Sequence, residues 1–491
     1  MKKIFKYTLG LLAAIMLFTG CEEWLDVNTD PNAMVDSPNI TESIYLIGVE
    51  AEWAEKAVAT FPWYGDDSEW VLWYAWEGST SATFIITPGH NTTVWNSYSG
   101  SLKHAVNLYD KAKENGNNRY QAIAAAIAAW HWFYIADSYD QAPLEQAMKG
   151  DEFLHPEPVA QSALYAHGNA LLDEAISLFQ NPVAGDLVPT SDDDYMMGAD
   201  FDKWTRLCYS MKARYAMRLA YAPGYSKTGQ ADAVIAALAN GMTSNDDECS
   251  WDHLSTLADA SWIYGDHLGD YSGQGATPTN WLIDLMNSLD DPRRYEFFTF
   301  AEDDPQGFQG HQSGPATTEG HRPSRYKSEF SRQTYPDYIM LYAENLFLKA
   351  EAHALRGEWV DAETAMKAGV TADMEFLGVH ADSIAAYIAQ PALTLPTDEE
   401  GAQEVIIIQK YLANIYKTKE SYFDYIRTGY PDFDFLYAIQ DATTGVTFPR
   451  RYMYPLDEID KNPHISAIGQ SDPLLGGTTW DAKPGIGPRA K

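Results

Sequence analysis

The chain has 491 residues, 45% of them hydrophobic, and 69 acidic against 34 basic side chains give a formal net charge of −35. That balance excludes a nucleic-acid partner, since phosphates are neutralised by clustered Lys and Arg, and otherwise speaks for a solvated exterior rather than for a particular ligand. Three cysteines, with no CxxC pair, exclude a disulfide framework and a zinc-ribbon site.

The basic start at Lys2, Lys3 and Lys6 precedes an apolar run of 12 residues from Tyr7 to Phe18. A bilayer-spanning helix needs about 20 apolar residues, so the run reads as the core of a cleaved signal peptide over residues 1–20. Phe18-Thr19-Gly20-Cys21 resembles a bacterial lipobox, with Phe18 where that motif more often has Leu. On this reading Cys21 is acylated and becomes the N-terminus, each buried lipid methylene adding about 0.8 kcal/mol of membrane affinity. Taking the leader's three lysines from the 34 bases moves the net charge from −35 to −38. Residues 21–40 read as a lipidated N-terminus and linker, from Glu22-Glu23 through the turn-like Asn28-Thr29-Asp30-Pro31-Asn32. The acidic start also resembles a surface-export signal of bacterial lipoproteins, and a solvated linker fits it equally. Residues 41–491 read as one large domain.

The first irregular stretch, 61–93, is the densest in aromatics: Phe61-Pro62-Trp63-Tyr64, then Trp70, Trp73, Tyr74 and Trp76, with Asp66, Asp67, Glu69 and Glu77 interleaved. Flat rings stack on the apolar faces of sugars at little cost in side-chain entropy, and peptides dock on the same surfaces. Trp70, Trp73 and Trp76 are therefore candidate ligand contacts, although a spacing of three also suits the buried face of a helix. Trp95 introduces a helix and reads as structural. Arg119 to Asp137 is Ala-rich, with a stripe of Ile123, Ile127, Trp130 and Tyr134 at helical spacing. His131 reads as an interior residue rather than a catalyst. Asp192-Asp193-Asp194 is an acid-rich turn that could hold calcium through oxygen ligands, with a solvated turn as the simpler reading.

Trp204, Cys208, Met211, Tyr215 and Leu219 form a second helical stripe, which makes Cys208 a core thiol; Cys249 falls in an acidic loop. A second irregular stretch, 243–281, carries Trp262 and Tyr264 before Gly265-Asp266-His267, where exposure and ligand contact are expected; Trp281 opens a helix. A third, 300–336, holds a second candidate calcium turn, Asp303-Asp304-Pro305-Gln306-Gly307, and the loop histidines His311 and His321. Aromatic-rich loops of this length read as ordered faces rather than disordered linkers. Asp337 to Leu377 is the clearest unit. Ala343, Leu346, Phe347, Ala350 and Ala354 face inward, Arg356-Gly357-Glu358 turns, and Trp359, Ala362, Met366 and Val370 return, with small residues at tetratricopeptide offsets. Such a hairpin must stack on others, for which 96–138, 161–220 and 403–428 are candidates. Val405, Ile408, Leu412 and Ile415 form the last stripe.

No HExxH, GxSxG or phosphate-cradling loop is present, and with 69 acids any carboxylate pair could be named for glycoside hydrolysis. No catalytic or metal-ligating residue is singled out. The expected fold is mainly α, with tetratricopeptide-like helix pairs scaffolding a loop-rich ligand face and few short strands.

Several stretches, in order, resemble the SusD/RagB family of nutrient-binding outer-membrane lipoproteins. They are Cys21-Glu22-Glu23-Trp24-Leu25-Asp26, Trp95-Asn96-Ser97-Tyr98, Ala136-Asp137-Ser138-Tyr139 with Pro143-Leu144-Glu145-Gln146-Ala147, and Gly198-Ala199-Asp200 before Lys203-Trp204. In the C-terminal half they are Asp291-Pro292-Arg293, Tyr342-Ala343-Glu344 with Phe347 to Ala352, Gln409-Lys410-Tyr411, Arg427-Thr428-Gly429-Tyr430-Pro431 and Pro449-Arg450-Arg451-Tyr452. Two positions depart. Asp140-Gln141-Ala142 replaces a glycine-containing turn, and Tyr411 stands where Trp is common. The resemblance implies a non-enzymatic binding protein on the cell surface, a glycan or peptide ligand, and a partner, a SusC-like TonB-dependent transporter barrel over which the lipoprotein sits as a lid. The competing readings are a lipid-anchored α-helical glycoside hydrolase or polysaccharide lyase, and the binding lipoprotein of an ABC importer, whose usual βαβ alternation this chain lacks.

Overall fold

The computed structural model describes residues 40–58, 71–74, 92–150, 152–222, 224–256, 260–261, 277–302, 304–312, 323–415, 417–433, 448 and 451–469. The signal peptide, Cys21 and the linker lie outside this set.

Helix α1 (Glu42–Val58) turns Leu46, Val49 and Trp53 inward. Helices α2 (Thr92–Ser99) and α3 (Ser101–Asn115) follow, and α3 stops where Gly116 takes φ 73°. Helix α4 (Asn118–Tyr139) is buried from Arg119 to Tyr139 on every side, not along one stripe as its sequence suggested. Its alanines make it narrow enough for α1, α2 and α3 and later helices to close around it. After α4, Asp140 takes φ 71°, a backbone that favours glycine, which accounts for the glycine usual in this turn. Strands β1 (Ala142–Pro143) and β2 (Pro158–Val159) pair antiparallel and lead into α5 (Gln161–Gln180). Gly168 lets α5 approach α4 closely, since a Cβ there would stand 2.8 Å from the Phe133 ring.

Helix α6 (Phe201–Arg218) is capped by Asp200, whose carboxylate accepts from the backbone of Asp202 and Lys203. Helix α7 (Lys227–Leu238) leads to strand β3 (Cys249–Trp251). Cys249 is thus buried in a strand rather than placed in a loop, and it and Cys208 are both free thiols. Helices α8 (Asn280–Ser288) and α9 (Arg294–Phe297) precede strand β4 (Asp337–Met340), which pairs antiparallel with β3. The tetratricopeptide-like hairpin lies where the spacing put it, as α10 (Tyr342–Leu355) and α11 (Trp359–Phe376). Gly357 makes the turn at φ 74°, and Gly369 faces the Phe347 ring. Trp359 is only half-buried, because it sits at the exposed start of α11. Helices α12 (Ala381–Ile388), α13 (Glu399–Ala413) and α14 (Thr418–Thr428) stack on the hairpin, and α15 (Leu456–Lys461) and α16 (Pro463–Gly469) close the described chain. No helix among the described residues is long and apolar enough to cross a membrane.

Two buried ionic centres lock these helices together. In the first, Arg214 of α6 forks onto Glu344 of α10 with both contacts at 2.6 Å, and Lys417 approaches Glu344 at 3.4 Å. Arg218 meets Asp137 of α4 at 3.2 Å and also pairs with Glu420. Lys410 of α13 lies 3.2 Å from Glu351 and 2.9 Å from Asp424, and Arg427 of α14 lies 2.7 Å from each. Five cations thus face five carboxylates, so charge is matched one for one within the cluster, as buried ions require. In the second, the fully buried Arg293 pairs with Asp291 at 2.6 Å and Asp373 of α11 at 2.8 Å, and donates to Gln409 of α13 at 3.1 Å.

Candidate ligand-binding face

The segment 71–74 runs between two aromatic stretches and is tied down through its backbone. Three consecutive carbonyls each accept a side-chain hydroxyl: Val71 from Tyr411 at 2.9 Å, Leu72 from Thr279, and Trp73 from Tyr326 at 2.6 Å. Burial pushes Tyr326 and Tyr411 well above the ordinary phenol range, so both remain protonated donors. Leu72 takes φ 57°, a left-handed backbone that costs a branched residue roughly 1–3 kcal/mol and persists only where its surroundings over-determine it. Those hydroxyls, one from helix α13 and two from irregular chain packed beside it, are that over-determination.

Thr279 and Tyr326 belong to an irregular layer. Asn280 donates to the carbonyl of His311, and His311 donates back to that of Pro278, both at 2.8 Å. Gly310 is required between them, because a Cβ would meet the Thr279 carbonyl oxygen at 2.2 Å. Thr299 donates to Arg325 at 2.8 Å, and Lys327 to Phe297 at 2.9 Å, which draws 297–301 and 323–327 side by side. The layer starts from Asp291-Pro292-Arg293, where Arg293 fixes it to α11 by its ion pair with Asp373 and to α13 by its hydrogen bond to Gln409. Gln409-Lys410-Tyr411 serves all three structures at once. Gln409 accepts from Arg293, Lys410 belongs to the helical ionic cluster, and Tyr411 holds segment 71–74.

The five aromatic positions expected to meet ligand fall out differently. Trp73 is fully buried, its ring 6.3 Å from Phe297 and 5.0 Å from Tyr411. A covered indole offers no face for stacking, so Trp73 is a core residue, although its segment is a turn and not the helix that a spacing of three suits. Trp70, Trp76, Trp262 and Tyr264 lie outside the described residues. In the chain Trp70 directly precedes the anchored segment and Trp76 lies two positions beyond it. Trp262 directly follows Ser261, whose backbone donates to Gln333 at 2.8 Å. Trp95 packs on Tyr98, Tyr139 and Tyr454, and Trp281 on Tyr411 and Phe433, both in structural roles. Sequence reading missed Tyr295 and Phe300, which are 51% and 44% exposed on this layer. No periodic signal in the sequence marks them, since Phe297 and Phe298 are adjacent and both buried.

The calcium candidates resolve into chain-internal caps. Asp193 accepts from the Thr190 backbone and hydroxyl, both at 2.6 Å, and from Tyr120; Asp194 accepts from Met197, Ala199 and the Trp204 indole. These donors occupy the oxygens that a cation would need. Asp304 accepts from the backbone of Gln306 at 3.2 Å, and Asp303 lies outside the described residues. His131 is buried against the Ser97 hydroxyl at 2.8 Å, and burial lowers it to about 3, so it is neutral and structural. His311 meets the Gln312 carbonyl at 2.8 Å, and His321 lies outside the described residues.

Residues 72–455 match the SusD-like family described as "Starch-binding associating with outer membrane". Among solved structures, the chain is similar to a chitin-binding protein (23% identity, TM-score 0.74, covering 90% of this chain and 100% of that one). It is also similar to a chitin-binding SusD homolog from Flavobacterium johnsoniae (21%, 0.73, 89% and 98%) and to a SusD/RagB family protein from Bacteroides thetaiotaomicron (23%, 0.71, 90% and 99%). No curated protein matches.

Proposed function

Because the chain belongs to the SusD-like family, we propose that it is a nutrient-binding protein of the bacterial outer membrane that captures oligosaccharide without altering it. Cys21 anchors it by lipid, residues 21–40 serve as the tether, and residues 41–491 form one binding domain at the cell surface. Ligand stacks on Trp70, Trp76, Trp262 and Tyr264 and passes to a SusC-like TonB-dependent transporter, over which the protein acts as a lid. The observation that carries this reading is the anchoring of segment 71–74. Three scaffold hydroxyls and a left-handed Leu72 hold one short stretch between Trp70 and Trp76, which suits rings that must be presented in a fixed orientation. The family description and the two chitin-binding relatives favour a sugar over a peptide.

The test is a detergent pull-down of the tagged protein from its native outer membrane, with the partner and any bound small molecule identified by mass spectrometry. A stoichiometric TonB-dependent barrel and a glycan mass support the reading, whereas a peptide mass corrects the ligand class. A protein that emerges alone and degrades a polysaccharide panel is an enzyme, and the reading falls. Alanine at Trp70, Trp76, Trp262 and Tyr264 should each weaken glycan affinity several-fold; unchanged affinity removes that residue from the site.

A further inference from the structure

Helix α9 and the residues just after it send aromatic rings to both sides. Phe297 points inward to Trp73, and Phe298 packs on Tyr326 with centroids 5.0 Å apart. Tyr295 and Phe300 point outward, 51% and 44% exposed. Behind them lies the buried Phe308, 5.1 Å from Tyr295 and 5.0 Å from Phe300, while the two outer rings meet at 87° with centroids 6.1 Å apart. Edge-to-face contact with a fixed third ring orients both outer rings before any ligand arrives. The turn behind Phe300 is closed by Ala301 donating to Gly307 at 3.1 Å and Asp304 donating to Ala301 at 3.2 Å.

Among the described residues, three cations beside these rings are each matched by an acid. Arg294, whose guanidinium lies 5.8 Å from the Tyr295 ring, pairs with Asp290. Arg325 pairs with Glu302 at 3.7 Å, and Lys327 with Glu296 at 3.9 Å. The surface therefore offers two oriented rings bordered by polar groups that can exchange hydrogen bonds with hydroxyls. A uronate or sulfate would have to break one of these pairs, on a molecule of net charge −35. A protein partner is a poorer fit, since two side chains fall far short of the roughly 800 Å² per partner that a stable interface covers.

We propose that Tyr295 and Phe300 form an outer stacking surface for an uncharged glycan. It extends the binding face beyond the aromatic loops of the proposed function, on whose carbohydrate reading it rests. A sugar ring lays its CH face on Phe300 or Tyr295, and its hydroxyls meet the bordering Arg294 and Glu302. The surface makes the protein selective for neutral over acidic polysaccharides.

The experiment is affinity electrophoresis of the mature protein in native gels containing starch, mixed-linkage β-glucan, xylan or glycol chitin, and in gels containing polygalacturonate or alginate. The wild type should be retarded by at least one neutral polysaccharide and by neither acidic one. The double variant Tyr295→Ala/Phe300→Ala should lose about tenfold in affinity with an unchanged unfolding midpoint. Tyr295→Phe/Phe300→Tyr, which keeps both rings, should bind as the wild type. A double-alanine variant that binds as tightly as the wild type overturns the outer surface and leaves the carbohydrate reading standing. So does one that keeps its glycan but no longer co-purifies with the barrel. Retardation by the acidic polymers alone overturns the neutral class. Retardation in none of the gels removes the carbohydrate reading and this proposal together.

Discussion

Asp424→Asn removes one charge from the middle of the helical ionic cluster while keeping the side chain's shape. Asp424 is 3% exposed, with Lys410 at 2.9 Å, Arg427 at 2.7 Å and Arg218 at 3.7 Å. Burial pushes its carboxyl up, but Lys410, Arg427 and Arg218 outweigh that and hold it below the usual carboxylate range. Removing one partner of a buried ion pair costs about 3–5 kcal/mol, because a charge is left without water or counter-charge. Here each cation keeps a second acid: Glu351 at 3.2 Å for Lys410 and 2.7 Å for Arg427, and Asp137 at 3.2 Å for Arg218. The expected loss is therefore at the lower end, about 3 kcal/mol.

The control is Asp457→Asn, which breaks the exposed pair with Lys461 at 2.8 Å and should leave the unfolding midpoint unchanged, since water screens such a pair. Urea unfolding of both variants, followed by tryptophan fluorescence and far-UV circular dichroism, compares the two. The pH dependence has a definite sign. A carboxyl depressed in the folded state stabilises above its unfolded pKa, and that contribution fades as pH falls through the folded value. The gap between wild type and Asp424→Asn should therefore narrow as the pH drops below about 4. A variant within about 0.5 kcal/mol of wild type at pH 7 would show that the cluster reorganises around a missing charge, and would refute the reasoning.

Gly310→Ala should destabilise the irregular layer by at least about 1–3 kcal/mol, because its Cβ meets backbone atoms of Thr279 and Asn280 at 2.2–2.3 Å; local hydrogen exchange at 278–282 reads the loss. Gly168→Ala should cost about 1–3 kcal/mol against the Phe133 ring, and Phe133→Leu in the same chain should recover part of it in a double-mutant cycle. Burial, with Asp194 adding to it, pushes Glu50 well above the ordinary carboxyl range, so its contribution is full below about pH 4.5 and is lost as pH rises through the folded pKa. Glu50→Gln should thus melt higher than wild type at pH 8 and equally at pH 4 by scanning fluorimetry. Tyr411→Phe removes the hydroxyl that holds Val71 and should cost about 1 kcal/mol of stability together with a several-fold loss in glycan affinity; unchanged affinity would separate segment 71–74 from binding.

The helix pairs were legible wherever one face of each helix is apolar and small residues mark the crossing. Asp337 to Leu377 satisfies both conditions, and Gly357 and Gly369 do in the structure what their spacing implied. Helix α4 was harder to read. Its stripe of Ile123, Ile127, Trp130 and Tyr134 is real, but the alanines between them are neither polar nor bulky, so periodicity undercounts a helix that is buried all round. The ionic clusters were not legible as such. Glu351, Lys410, Asp424 and Arg427 sit in amphipathic helices, where a charge normally marks the solvated side. Only packing three helices together shows that these charges face one another.

The binding face illustrates the same limit with sharper consequences. Composition located the aromatic-rich stretches, because loops that carry so many rings must put them somewhere. It could not separate ring from anchor, since Trp70, Trp73 and Trp76 share one spacing and one chemistry. What separates Trp73 is its surroundings. Phe297 and Tyr411 cover its indole, and the hydroxyls holding its segment come from residues 207, 253 and 340 positions away in sequence. Such contacts carry no local periodicity, so the anchoring of segment 71–74 is legible only in the folded chain. Tyr411 and Arg293, both fully buried, fix segment 71–74 and the irregular layer to the helices, a role that no aromatic count reveals.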